Sequence, residues 1–397
     1  MPPIKKINDK VALIALVILF TISCKKETLN NATLNNATAL FSSSNRDASA
    51  EFSPSPWIIK SSGVSFANRG ISEMSAPDQT TCYGLLYNVF GSVLHDITVT
   101  HDGGDTWRSQ TIAGLENNYL LDVDASNAQN VHVIGWNYLH GGGNIFRSED
   151  GGDTWQREGA NAFTDAASFP DAIHFFNPDY GVVFGDPPDG SFEIYITSDG
   201  GNSWSRVPSS NIPAALPNEY GISNLSDAYN NTVRVITITY DNASNPVAAR
   251  LLQSDDKGQH WYVRNPSMAY DGVTSRIKFR NQQIGLYENN RKLYRTMDGG
   301  TTWQQVDYSG IWHNGDFDNV PGKAGWWISA GGNSLSTRIG SSISYDDGDH
   351  WTSFLDTTIH TCVKMISPLH GYSGSITTGG GDGGVFVYSL APGKLPD

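Results

Sequence analysis

Acidic side chains carry most of the chemistry this sequence could perform. One aspartate recurs at a near-constant interval, as Asp102, Asp150, Asp199, Asp256, Asp298 and Asp346. A second acidic group lies in Gly185-Asp-Pro-Pro-Asp-Gly190, which holds Asp186 and Asp189. Carboxyl pairs roughly 5–10 Å apart are what glycoside hydrolysis requires. Arg69, Arg276 and Arg338 could clamp a substrate carboxylate, because a guanidinium grips it with two parallel hydrogen bonds. Other chemistries lack their templates. There is no Gly-x-Ser-x-Gly elbow, phosphate loop, dinucleotide fingerprint or His-Glu-x-x-His. The ten His show no metal-ligand spacing, so neither a metal nor a cofactor is expected.

The recurring aspartates sit in one octapeptide, which decides how they are used. It begins as Thr100-His-Asp102-Gly-Gly-Asp-Thr-Trp107 and ends its sixth copy as Ser344-Tyr-Asp346-Asp-Gly-Asp-His-Trp351. The pattern matches the Asp-box, or BNR repeat. An aspartate followed by Gly suits a β-turn: the carboxylate accepts backbone N–H groups and Gly supplies positive φ. The Ser or Thr hydroxyl adds a local bond, and the Trp packs beneath the turn. Apolar alternation flanks the copies, as in Phe192-Glu-Ile194-Tyr-Ile196. Each box is therefore expected between the last two strands of a four-stranded unit, in a structural role and not a catalytic one.

The box aspartates are 48, 49, 57, 42 and 48 residues apart, a mean of about 49. Four-stranded units at this period form a β-propeller. About seven periods fit after residue 55. The sequence therefore predicts an all-β, seven-bladed propeller with six Asp-boxes. Blade starts are expected near Arg69, Leu121, Asp171, Tyr220, Ser275, Asp316 and Thr361. The last blade lacks a box, and Gly384-Val-Phe-Val-Tyr388 reads as its third strand. Trp57-Ile-Ile-Lys60 resembles the strands that follow the boxes, so residues 57–65 are expected to join the last blade and close the ring. Closure removes exposed sheet edges. Cys82 and Cys362 would then be neighbours across the seam, as a disulfide or as two unpaired thiols.

The 397 residues carry 26 Lys+Arg against 40 Asp+Glu, a formal charge of −14, which argues against nucleic acid as a partner. Lys5, Lys6 and Lys10 precede an apolar stretch over residues 11–22, too short to span a membrane and of signal-peptide length. It ends in Thr21-Ile-Ser-Cys24, which resembles a bacterial lipobox. The expected organisation is a lipoprotein signal over 1–23, a flexible Asn/Ser/Thr-rich tether over 24–55 and a propeller over 56–397. Lipidation of Cys24 would anchor a monomer to the outer membrane, facing the periplasm or the surface.

Three further stretches carry a resemblance: Phe66-Ala-Asn-Arg69-Gly-Ile-Ser, the segment from Phe175 to Gly190, and Val320-Pro-Gly with Trp327-Ile-Ser-Ala-Gly. With the boxes, they resemble BNR-repeat lipoproteins related to the photosystem II stability and assembly factor propellers. That resemblance implies a binding or assembly module, without catalysis, for a glycan, peptide or envelope protein. The alternative is a glycan-active hydrolase or lyase, because sialidases share the box. Sialidases, however, open with Arg-Ile-Pro, where this chain has Arg69-Gly-Ile71, and they use six blades. Propeller ligands usually meet the loops entering the inner strands and those joining second to third strands. The residues expected there are Arg69, Trp136, Asp171, His174, Asp186, Asp189, Glu219 and Arg276.

Overall fold

The computed structural model describes residues 52–89, 95–270, 276–331, 339–355, 358–377 and 383–389. The signal, Cys24, the tether before residue 52 and Arg338 lie outside the described residues. The local chemistry of the octapeptide is realised in all six copies. In the first, the Thr106 amide and hydroxyl donate to Asp102 at 2.9 and 2.6 Å, and the Gly104 amide donates to the Thr100 hydroxyl at 3.0 Å. Asp150, Asp199, Asp256, Asp298 and Asp346 make the same amide contact four residues on, at 2.8–2.9 Å. The second glycine of each copy has φ between +88° and +94°, which a side chain would strain. The preceding position is also left-handed, yet Lys257 and Asp347 occupy it in two copies. Only the second glycine is therefore obligatory. The Thr154 hydroxyl and amide hold Asp150 down at about 2, and Ser203 holds Asp199 below its ordinary value in the same way.

These turns join the third and fourth strands of four-stranded antiparallel blades, of which there are seven. The inner strands are Arg69–Ser75, Asn118–Ala125, Pro170–Phe175, Glu219–Tyr229, Arg276–Phe279, Asp316–Asn319 and Cys362–Ser367, here numbered as blades one to seven. All starts fall within three residues of the sequence expectation. Blade seven takes its outer strand from the other end of the chain: Trp57–Ser61 pairs antiparallel with Gly384–Ser389, Trp57 opposite Tyr388. This closes the ring as the post-box resemblance of Trp57-Ile-Ile-Lys60 predicts. Blade six is broader. Phe52–Pro54 and Ser309–Gly310 both run parallel to its outer strand His350–Leu355. The last residues of the expected tether, 52–54, thus form a strand.

Apolar faces of adjacent blades pack against each other, and the cores lie between blades. Phe184, Phe192, Val235 and Trp261 fill the junction of blades three and four. Cys82 and Cys362 share the cluster at the seam of blades one and seven with Ile71, Trp107 and Tyr372. Both are free thiols, so of the two seam arrangements the unpaired one is found. Burial pushes both thiols above their ordinary pKa.

The inner strands pose a separate problem. Each has one edge facing the central channel, where backbone N–H groups lack a strand partner. Leaving such a donor unmet costs about 1–3 kcal/mol when buried. The preceding blade supplies the acceptor. Asp122 and Asp124 accept the amides of Ile173 and Phe175 at 2.9 and 2.6 Å. Asp227 accepts Phe279, and Asp316 and Asp318 accept Val363 and Met365, all at 2.8–2.9 Å. Between blades one and two the Ser75 hydroxyl accepts Ala125, and between three and four Asp186 accepts Gly221. Aspartate is thus the device that caps edges at the channel as well as turns at the periphery.

Candidate functional site

The residues expected on the loop face divide by what they touch. Asp171 opens the inner strand of blade three and Asp186 follows its second strand. Both are almost fully buried, and their side chains hydrogen-bond to each other. Burial, with the charge of Asp186 adding to it, pushes Asp171 well above the carboxylate range. Burial pushes Asp186 up to about 8, with Glu193 adding to it. The pair therefore retains a proton at neutral pH. Gly221 lies hard against it: a Cβ there would come within 2.2 Å of Asp171 Oδ2. This contact explains why blade four has no side chain at that point.

Glu219 is equally enclosed. It receives Nε and Nη2 of Arg250 at 2.7 and 2.5 Å, the Thr237 hydroxyl at 2.6 Å and the Leu216 amide at 2.7 Å. Trp136 is buried, stacked with Tyr119 and tilted against Phe169. Neither offers a surface to a ligand. Asp189 is exposed and pairs with Arg206 on the outer strand of blade three at 3.3 Å. Arg69 is half-buried beside the seam, its guanidinium 5.8 Å from the Phe66 ring. Phe66 is itself 67% exposed and shares the loop face with the exposed Tyr138, Leu139, Leu216 and Val247. The first four lie in connections entering inner strands or joining second to third strands, and Val247 stands at the start of the third strand of blade four, Pro246–Ser254.

His174 and Arg276 go elsewhere. They line a channel cavity of about 150 Å³ with Glu73, Asp122, Asp124, Asp227, Lys278 and Lys364. Pockets for drug-sized ligands run to about 300–1,000 Å³, so this one takes a group the size of a side chain. Most of its lining comes from the later halves of the inner strands, nearer the octapeptide turns than the loop face. The basic side chains answer acids of neighbouring blades. His174 Nδ1 is 3.2 Å from Asp124, and Arg276 Nε donates to Asp316 at 3.1 Å. Lys278 and Lys364 lie 3.8 Å from Asp227 and Asp318. Burial, then Glu73, push Asp122 well up, while burial outweighs nearby Arg276, Lys278 and Lys364 in raising Glu73. Lys278 is raised because Asp227 and Glu73 outweigh its burial.

Sequence reasoning missed Glu73, Asp122, Asp124, Asp227, Lys278, Asp318 and Lys364 as channel residues. A signal exists: Asp122-Val-Asp124, Arg276-Ile-Lys278 and Asp316-Phe-Asp318 place charge at every second position of a strand expected to be apolar. Apart from Phe184, the apolar part of the cavity wall has no aromatic ring, so it lacks the broad platform a sugar ring favours. Among the described residues, no group of three His, Cys, Asp or Glu side chains is arranged to hold a metal ion.

No protein-family profile and no curated protein matches the chain. Solved structures do. YCF48 bound to D1 peptide is 14% identical, with a TM-score of 0.60 over 88% of this chain and 100% of that one. YCF48 from Cyanidioschyzon merolae is 15% identical, with a TM-score of 0.58 over 84% and 98%. The Trypanosoma rangeli sialidase is 13% identical, covers 85% of this chain and 59% of that one, and has a TM-score of 0.46, too low to argue from. The likeness to YCF48 is one of β-propeller fold. At such identities it speaks for the fold alone.

Proposed function

We propose that this protein is a non-enzymatic binding propeller whose loop face engages a peptide or protein partner, at a bacterial envelope to which Cys24 lipidation holds it. One observation carries the reading against the glycan-active alternative. The central acids Asp122, Asp124, Asp227, Asp316 and Asp318 each cap a backbone amide of the next blade, and Asp171 and Asp186 share a hydrogen bond. A glycosidase pair needs two carboxyls that reach a substrate and stand roughly 5–10 Å apart. Acids held on strand edges or in direct contact do neither. The exposed Phe66, Tyr138, Leu139, Leu216 and Val247, with Arg69 beside Phe66, supply the apolar anchors and polar rim of an interaction face. The presence of a peptide on the structurally similar YCF48 supports a peptide as the partner.

The test is site-specific photo-crosslinking in the native envelope, with the reactive residue at Leu139 or, on the opposite face, at Met297. A discrete adduct from Leu139 that disappears in Phe66→Ser, with none from Met297, is the expected result. Adducts from Met297 alone, or hydrolysis of fluorogenic glycosides above buffer that Asp186→Asn abolishes, would overturn the reading.

A further inference from the structure

The channel charges follow a rule that seven blades cannot satisfy. An acid on an even blade pairs with a base on the odd blade after it, in three successive cycles. Asp124 of blade two meets His174 of blade three, Asp227 of blade four meets Lys278 of blade five, and Asp318 of blade six meets Lys364 of blade seven. In each cycle the same carboxylate also accepts the amide of the residue just after the base: Phe175, Phe279 and Met365. Three such pairs use six blades. Blade one is left over, and its channel residue is Glu73.

The pairs are also unequal in what they leave available. Asp122, Asp124, Asp316 and Asp318 turn their oxygens to strand edges, their own backbone or hydroxyls. The lysines lie 3.8 Å from their acids, near enough for charge pairing but beyond hydrogen-bond distance. Arg276 gives only Nε to Asp316. Among the described residues, neither the two ammonium groups nor the two terminal nitrogens of Arg276 donate any other hydrogen bond, and the Glu73 carboxyl accepts none. The cavity is therefore lined by N–H donors well in excess of free acceptors. It is also open to solvent: the side chains of Lys364, His174 and Lys278 are 35%, 32% and 22% exposed.

We infer that the channel cavity is a binding site for one small oxyanion, held by Arg276, Lys278 and Lys364, with Glu73 as the resident acid that competes for the same donors. A carboxylate suits this set, because its two oxygens can take the guanidinium fork and an ammonium together. About 150 Å³ admits such a group with a few waters and excludes a sugar chain. The carboxylate belongs either to a free anion or to the end or acidic side chain of a partner chain. The site does not depend on the loop-face reading above, since it lies deeper in the channel and uses other residues.

Calorimetric titration of the whole protein at fixed ionic strength tests this, with sodium acetate, with a six-residue peptide ending in a free carboxylate, and with the same peptide amidated. Saturable one-to-one acetate binding is expected, weakened at least tenfold in Lys364→Met and in Lys278→Met. Glu73→Gln, which keeps the side-chain size and removes the competing charge, is expected to tighten binding several-fold, and decides the matter should a lysine variant fail to fold. Free-acid peptide binding tenfold or more tighter than acetate and than its amidated twin assigns the carboxylate to a partner chain; acetate alone assigns it to a free anion. Phe66→Ser is expected to leave acetate binding unchanged. No saturable binding of acetate or free-acid peptide to the wild type and Glu73→Gln, or equal binding in the lysine variants, overturns the inference.

Discussion

Asp186→Asn separates a structural acid pair from a ligand-binding one, and its effect can be worked from the site. An unfolded aspartate loses its proton near pH 3.9. In the folded protein burial holds Asp186 at about 8 and Asp171 above the ordinary range. Between those limits the folded state binds more protons than the unfolded one, so stability falls as pH rises. The slope is about 1.4 kcal/mol per pH unit for each extra proton. This contribution is therefore largest below pH 4 and is lost as pH climbs towards 8. The substituted carboxamide would keep the carbonyl oxygen that accepts Gly221 and would offer an N–H to Asp171 in place of the shared proton. One proton's slope disappears. Relative to wild type, the variant should gain about 1.4 kcal/mol per pH unit from pH 5, flattening towards pH 8, roughly 4 kcal/mol in all. For a domain of this size that is about 5 °C in melting temperature. Thermal melts at pH 5, 6, 7 and 8 measure it, with Asp189→Asn in the same loop as an exposed control that leaves the profile unchanged. Parallel melting curves for Asp186→Asn and wild type across that range would refute the shared proton.

Two further outcomes follow from named contacts. Arg250→Met strands the Glu219 carboxylate, whose side chain is fully enclosed, and should cost about 3–5 kcal/mol in a urea titration; the double variant with Glu219→Gln should recover much of that loss. Cys24→Ala should abolish incorporation of labelled palmitate and release the protein from membranes on fractionation, and retained label would sink the lipid-anchor proposal.

The legible parts of this molecule are those whose causes are local. Six octapeptides show their turns because every bond that makes them falls within eight residues, as Asp102 to Thr106 illustrates. Their period then counts blades, and the Trp57-Ile-Ile-Lys60 resemblance finds the missing strand. The site is not local. Asp124 and Phe175 meet across 51 residues, and nothing adjacent to either announces the other. Glu219 reads as a ligand group because it opens an inner strand, yet its partner Arg250 is 31 residues on and faces inward. Trp136 resembles a stacking platform until Tyr119 is found to cover it. A period of two in charge within Asp122-Val-Asp124 was the readable trace of the channel, and it competes with the expectation that inner strands are apolar.

The net charge of −14 takes on a different meaning once these contacts are known. A fold with seven inner strand edges and six exposed turns has many amides that no neighbouring strand can satisfy. Carboxylate is the strongest acceptor among side chains and the shortest reach belongs to aspartate. The turn acids, from Asp102 to Asp346, and the channel acids, from Asp122 to Asp318, are in this sense substitutes for missing carbonyls. Their charge is fixed by backbone geometry, and it does not forecast the charge of a partner. In the channel the relation is reversed: the acids are occupied by amides, and the groups left facing the cavity are the donors of Arg276, Lys278 and Lys364. An acidic protein thereby presents N–H donors without hydrogen-bond acceptors at its centre, and Glu73, which accepts no hydrogen bond among the described residues, lines the same cavity, where an incoming carboxylate would compete with it.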